Sequence, residues 1–164
     1  LLHAVARDPA MVIYLDSASN RKGQPNENFA REVMELFTLG EGNYEERDIK
    51  DVARAFTGWG INLETGEFLF RQPAHDDGVK TVLGRTANLD GDAVLDILLE
   101  QPQTADLVVR KLWREFVSPV PDAREVQRIA TEFRRAGCQR TNRSRELTDA
   151  RERGPARSRS LVHN

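Results

Sequence analysis

The stretch PNENFAREVMELFTLGEGNYEERDIKDVARAFTGW, residues 25–59, decides the fold of this chain. Apolar side chains recur every three or four positions in both of its halves, so each half presents one apolar face when it is helical. The pattern predicts a helix over 27–39 that stops at Gly40, and a second helix that stops at Thr57-Gly58. The short linker GEGNY predicts that the two helices form a hairpin or a corner.

Downstream of this stretch the hydrophobic period changes. The segment INLETGEFLF alternates apolar and polar residues around Thr65-Gly66, which predicts a small β-hairpin. The segment RQPAHDDGVKTVLGRTANLDG is rich in Gly, Asp and Pro, and is expected to be mostly loop.

Three polar residues mark the starts of the remaining predicted helices. Asp90 is expected to cap a helix over 91–100, and Thr104 a mostly buried helix that continues to Val117. Asp122 opens a last amphipathic helix. The predicted fold is mainly α, with helical hairpins packed as an irregular bundle and one small β-hairpin insertion.

Composition narrows the class of protein. The chain has 164 residues, 39% of them hydrophobic, which suits one domain with a core. Its 24 basic and 26 acidic residues give a net charge of -2, so no nucleic-acid partner is expected. The single cysteine excludes an intrachain disulfide, and no apolar run approaches the roughly 18 to 20 residues of a membrane span. The first residue is not Met, so the natural N-terminus, with any export signal, is expected to lie upstream of Leu1.

The sequence changes character after Gly137. The segment CQRTNRSRELTDARERGPARSRSLVHN is rich in Arg and Ser and shows neither helical nor strand periodicity. Two interpretations stay open: a disordered arginine-rich tail, or a segment translated out of frame. We therefore predict a domain fragment over 1–137 and a tail over 138–164.

Five segments carry a family resemblance: DPAMVIYLD, PNENFAREVMELFTLGEGNY, DVARAFTGW, HDDGVKTVLG and RKLWREFV. Together they resemble the bacterial domain-of-unknown-function family 1800 (DUF1800) over about 1–137. The resemblance implies an exported or periplasmic protein that is encoded beside a sulfatase-like partner. The chain departs from the family pattern in two places: a Trp-His-Asn-His-like stretch is missing upstream, and the arginine-rich tail replaces a hydrophobic continuation.

The first helix carries the candidate polar site. Glu27, Arg31 and Glu35 are spaced four residues apart, so they form one stripe opposite the apolar face. Paired carboxylates at this spacing can hold a metal or act as acid and base. The alternative is an arginine that bridges two carboxylates on a solvated face. Asn26 and Asn28 add more polar groups than one helix cap requires.

A second group of candidate residues lies in the predicted loop. His75 and Asp76 precede Lys80, and a histidine beside a carboxylate can serve as a general base or a metal ligand. Only His3 and His163 are available as further histidines, so the metal stays unassigned, and so does any cofactor. The glycines form no nucleotide-binding motif.

Two functions follow from these candidates. One is an exported or cell-envelope hydrolase-like enzyme in which Glu27, Arg31 and Glu35 join His75 and Asp76. The other is a non-catalytic partner or scaffold for the sulfatase-like protein, in which the polar motif holds the helices together. The enzyme requires the stripe to face a cleft beside the His75 loop. The scaffold is favoured if the stripe is internally paired or lies flat on the surface.

Overall fold

The structure is a computed structural model that describes residues 1–152, and the surroundings of the side chains over 1–137 apart from Ala18. The described chain is mainly α-helical, as predicted, and also contains two small antiparallel sheets. Its helices are α1 (Leu2–Ala6), α2 (Pro9–Tyr14), α3 (Glu27–Glu32), α4 (Glu46–Ala55), α5 (Gly91–Glu100), α6 (Pro102–Phe116) and α7 (Ala123–Glu152). The strands are β1 (Trp59–Ile61), β2 (Phe68–Phe70), β3 (Lys80–Val82) and β4 (Arg85–Ala87).

The helix predicted over 27–39 is present, but its second half is a π-helix over Val33–Thr38. The backbone N–H of Leu39 donates to the Met34 carbonyl at 2.7 Å, which is the i to i+5 bond of the wider turn. The buried hydroxyl of Thr38 donates to the Val33 carbonyl at 2.7 Å and occupies a second backbone acceptor. Gly40 follows with a φ of 81°, so it ends the helix as predicted.

Helix α4 and the start of β1 form the centre of the core. The helix ends at Ala55, two residues before the predicted stop at Thr57-Gly58, and Gly58 follows with a φ of 86°, which favours glycine. Three aromatic rings meet beside this turn: Phe56 lies edge-on to Phe29 and to Trp59, with ring centroids 4.9 Å apart in each pair. All three side chains are buried, so this cluster fixes α3 and α4 against β1.

The predicted β-hairpin is formed by β1 and β2, but the prediction of a single hairpin is wrong. Strands β3 and β4 pair where a loop was expected, with Val82 opposite Arg85. The two turn residues, Leu83 and Gly84, have φ values of 48° and 80°, as a type I′ turn requires. A leucine is rarely found in that conformation, so the Leu83-Gly84 pair gives no clear signal of a hairpin turn in the sequence.

Helix α5 begins as predicted, because the Asp90 side chain accepts the backbone N–H of Ala93 at 2.8 Å. The predicted start of α6 is wrong: the helix begins at Pro102, and the Thr104 hydroxyl donates to the Leu98 carbonyl at 2.6 Å instead of capping. The prediction that α6 is mostly buried is also wrong, since Leu112 and Phe116 are 53% and 78% exposed.

Helix α7 packs on α6 through a small second core of Ala105, Val109, Val126 and Ala130. Its start is capped as predicted by Asp122, which accepts the backbone N–H of Arg124 at 2.8 Å. The helix continues past Gly137 to Glu152, so no helix end marks the predicted domain boundary. The side chains of 138–152 and all of 153–164 lie outside the described residues, so the tail over 138–164 stays a prediction. Within 1–152, no helix combines the length and the apolar character that crossing a membrane requires.

Candidate functional site

Asn26 caps the start of α3, and both polar atoms of its side-chain amide make hydrogen bonds. Its Oδ1 accepts the Phe29 backbone N–H at 3.2 Å, which is the N-cap bond. Its Nδ2 donates to the carbonyls of Leu15 and Asp16 at 2.8 and 2.9 Å. These bonds tie the preceding loop to the helix, so Asn26 holds the fold together at this point.

Arg31 does not bridge Glu27 and Glu35. Its Nη2 instead donates to both carboxylate oxygens of Glu46, at 2.9 and 3.2 Å. The hydrogen bond to Glu46 raises the pKa of the Arg31 guanidinium, and the charge of Glu46 adds to this effect. The pair connects α3 to the first turn of α4, so it fixes the corner between the two helices.

Glu35 lies in the π-helical segment and is half-buried. The Tyr44 hydroxyl donates to its Oε2 at 2.6 Å. Burial raises the pKa of Tyr44, and the bond to the Glu35 carboxylate raises it further. This contact ties the π-helix to the linker before α4.

Glu27 and Asn28 are the exposed members of the motif. Glu27 lies in the first turn of α3, where a carboxylate interacts favourably with the helix dipole. Asn28 follows it on the surface, beyond the Asn26 cap. Both side chains are therefore open to solvent.

His75 is buried, with 5% of its surface exposed. Its Nδ1 lies 2.8 Å from the Thr57 carbonyl, which can only accept, so Nδ1 carries a proton and donates. The second ring nitrogen, Nε2, is left as the acceptor of the neutral ring. The Phe70 ring lies edge-on to the imidazole at 5.5 Å.

Asp76 is held as a carboxylate beside Arg54. The Arg54 Nε donates to its Oδ2 at 2.9 Å, and the Gly78 backbone N–H donates to Oδ1 at 2.9 Å. These bonds, led by the one from Arg54, lower the pKa of Asp76 from 3.8 to about 2. Such a carboxylate is poorly suited to hold a proton near neutral pH, so its chemistry here is that of an acceptor.

Lys80 is 1% exposed, and its ammonium group is enclosed by oxygens. The Nζ atom donates to the carbonyls of Asp76 and Gly78 and to the Asn88 Oδ1. Burial lowers the pKa of Lys80. With three acceptors for three protons, the side chain holds the 76–80 loop in shape.

The structure does not bring the two groups of candidate residues together. The first group joins α4 at Glu46 and the second joins it at Arg54, which places them about 12 Å apart along the helix axis. The catalytic roles of Glu27, Arg31, Glu35, His75 and Asp76 stay predictions, because the geometry offers them no shared centre.

The side of α4 that contacts the β3–β4 hairpin holds two residues that the sequence reasoning missed. Asp48 accepts the Leu83 backbone N–H at 2.9 Å, and Asp51 accepts that of Thr81 at 2.7 Å, so two carboxylates bind the β3–β4 hairpin. The available signal was the three-residue spacing of Asp48 and Asp51, which places both on one side of the helix.

The described residues contain no group of three or more His, Cys, Asp or Glu side chains placed to hold a metal ion. One shallow, open cleft of about 400 Å³ lies between the GEGNY linker and the α6–α7 pair. Leu39, Asn43, Asp106, Leu107 and Gln127 are among its lining residues. None of the predicted site residues lines it.

The fold defines the class as a mainly α-helical domain with two small β-hairpins, one of which, β3–β4, is bound to α4 through Asp48 and Asp51. A family model described as "Protein of unknown function (DUF1800)" matches residues 1–158, so the chain belongs to the DUF1800 family. The match extends past Gly137, where the resemblance in the sequence motifs ends. No curated protein and no solved structure matches the chain.

Proposed function

We propose that this domain, with its helices packed as successive hairpins in an irregular bundle, is a non-catalytic scaffold that docks a second protein. The observation that carries the proposal is that three polar side chains of the family motif make hydrogen bonds within the fold. Asn26 caps a helix, Arg31 pairs with Glu46 and Glu35 accepts from Tyr44. Groups that are already paired have little capacity left for a substrate.

The docking face that we propose lies at the C-terminal end of α6. Leu112 and Phe116 are one helical turn apart and are 53% and 78% exposed, and Val117 and Val120 follow at 64% and 78%. We call these four residues the α6 face. Contiguous apolar side chains at the surface are a common mark of protein interfaces, and large aromatic residues contribute most to such contacts.

The charges beside the α6 face indicate the chemistry of the partner. Lys111 and Arg114 are exposed on the same stretch of helix together with one carboxylate, that of Glu115, and Lys111 also donates to the Leu36 carbonyl. A partner with an apolar centre and carboxylates at its rim would bury Phe116 and pair with these cations. The resemblance to the family implies that a co-encoded sulfatase-like protein is the one to test.

A hydrolase-like enzyme in the cell envelope stays as a second proposal. Its support is the His75 ring, whose Nδ1 is fixed as a donor and whose Nε2 is left able to accept a proton. The distance along α4 between this histidine and the motif helix is what weighs against it.

Titration calorimetry of the purified chain with the co-encoded sulfatase-like protein tests the scaffold. We expect Phe116→Glu to weaken binding at least tenfold, because it places a charge in the apolar contact. Leu63→Glu is the matched control, since Leu63 is 95% exposed on the first hairpin, away from α6. Equal binding by both variants and the parent chain would contradict this docking face, and so would a complete lack of binding by the parent chain.

A further inference from the structure

The imidazole of His3 lies between two carboxylates of α5. Its Nδ1 is 3.1 Å from Asp92 Oδ1, and its Nε2 is 3.0 Å from Asp96 Oδ1. Both distances are those of hydrogen bonds. Carboxylate oxygens only accept, so both contacts can be made together only by a ring that carries a proton on each nitrogen.

Arg7 joins the same group from the next turn of the chain. Its guanidinium pairs with Asp92 and lies over the rings of Trp59 and Phe68, at 5.5 and 5.4 Å from their centroids. Helix α1 therefore covers the side of the aromatic core where Trp59 meets α5. The charged groups in contact with His3 are Asp92 and Asp96 of α5, and Arg7, which directly follows α1, pairs with the same Asp92.

We propose that α1 is a pH-dependent cover over the Trp59–Phe68 edge of the core, closed when His3 is an imidazolium between Asp92 and Asp96. When the ring loses one proton, one nitrogen presents a lone pair to a carboxylate oxygen. That contact changes from attraction to repulsion, while the pair between Arg7, directly after α1, and Asp92 of α5 is unaffected. The cover is thus held while the His3 ring carries both protons and is loosened at the higher pH at which it has lost one.

Because α1 is short, a modest loss of side-chain contacts should change its hydrogen-exchange protection measurably. The helix has five residues, and Ala6 is its buried member. A helix this short has little stability of its own, so its attachment depends on side-chain contacts. The His3 contacts are half-exposed, with side chains 35% to 40% accessible, so each contributes modestly.

Hydrogen exchange of the full chain between pH 5.5 and 8 tests the cover. After correction for intrinsic exchange, protection of the Val5 and Arg7 amides, which donate within α1, should fall roughly threefold to tenfold as pH rises. His3→Gln should show low protection at both pH values. Glu100→Gln, which breaks the Arg85 pair at the other end of α5, is the matched control and should keep the parent profile.

Two results would overturn the proposal. One is an unchanged protection of Val5 and Arg7 across this pH range in the parent chain. The other is the same pH-dependent loss in His3→Gln. If that variant does not fold, the ¹⁵N shifts of the His3 ring in the parent chain decide instead: a doubly protonated ring at pH 5.5 supports the cover, and a singly protonated ring refutes it.

Discussion

The guanidinium of Arg31 reaches across a helix corner to Glu46 and contacts both of its carboxylate oxygens from one nitrogen, at 2.9 and 3.2 Å. The most polar part of the family motif thus serves to join α3 to α4. Both side chains are well exposed, at 41% and 60%, so solvent weakens their attraction.

Replacing Arg31 tests this description. We expect Arg31→Met to lower the melting temperature only slightly, and the loss to shrink further at high salt, because the pair is screened. Glu27→Gln should leave the melting temperature unchanged, since Glu27 contributes only at the helix end. Thermal unfolding followed by circular dichroism at low and high salt measures both. A large loss with Arg31→Met would mean that the residue does more than join two surface helices.

The Asp76–Arg54 pair should appear in the acid stability of the protein. The folded-state pKa of Asp76 is lowered from 3.8 to about 2, so the carboxylate stabilises the fold above about pH 4. That contribution, about 1 to 2 kcal/mol, is lost as pH falls from about 4 to about 2. In urea unfolding over this range, Asp76→Asn should be less stable near neutrality and less sensitive to acid. Asp77→Asn, at an exposed neighbour, should behave as the parent chain does. Matching acid profiles for the parent chain and Asp76→Asn would contradict the assignment.

Lys80 should be among the costlier positions to change. Lys80→Met removes the buried donor that three part-buried oxygens share, which should destabilise the fold by about 1 to 3 kcal/mol. Lys111→Met is the matched control, because Lys111 is exposed and donates to a single carbonyl, that of Leu36. Urea unfolding of both variants measures the difference, and equal stabilities would argue against an enclosed ammonium group.

Gly91 is placed so that no larger residue fits. A Cβ atom there would lie 2.5 Å from Trp59 Cζ2 and 2.7 Å from Phe56 Cδ1, inside contact distance of two buried rings. Gly91→Ala should therefore destabilise by about 1 to 3 kcal/mol. Gly137→Ala, in a helix with open space around it, should instead stabilise by about 0.5 to 1 kcal/mol. Chemical denaturation of the pair gives opposite signs if the packing is as described.

Helices α3, α4, α5 and α7 follow from local signals in the sequence. Apolar spacing and stop glycines place α3 and α4, and Asp90 marks α5, because capping and amphipathicity act over a few residues. The π-helical turn after Glu32 is not visible in that spacing. In this turn the hydroxyl of Thr38 is buried and donates to the Val33 carbonyl, five residues earlier in the chain.

The parts of the candidate site that sequence reasoning missed depend on contacts between distant segments. The β3–β4 hairpin is held by Asp48 and Asp51, more than one element away in the chain. Arg31 pairs with Glu46 in the next helix, and Glu35 accepts from Tyr44 in the linker. Helical spacing alone therefore pairs Arg31 with Glu35 incorrectly. Helical periodicity predicts which face of a helix a residue occupies, but its hydrogen-bond partner depends on how the helices and strands pack together.

The most direct test of the scaffold is to compare the motif and the α6 face in one binding series. The titrant is the co-encoded sulfatase-like protein, and the variants are Leu112→Glu, the double change Arg31→Met with Glu35→Gln, and the parent chain. The account predicts that Leu112→Glu raises the dissociation constant at least tenfold. The motif variant, once shown to be folded, should bind as the parent chain does. Loss of binding by the folded motif variant, with Leu112→Glu unaffected, would contradict it.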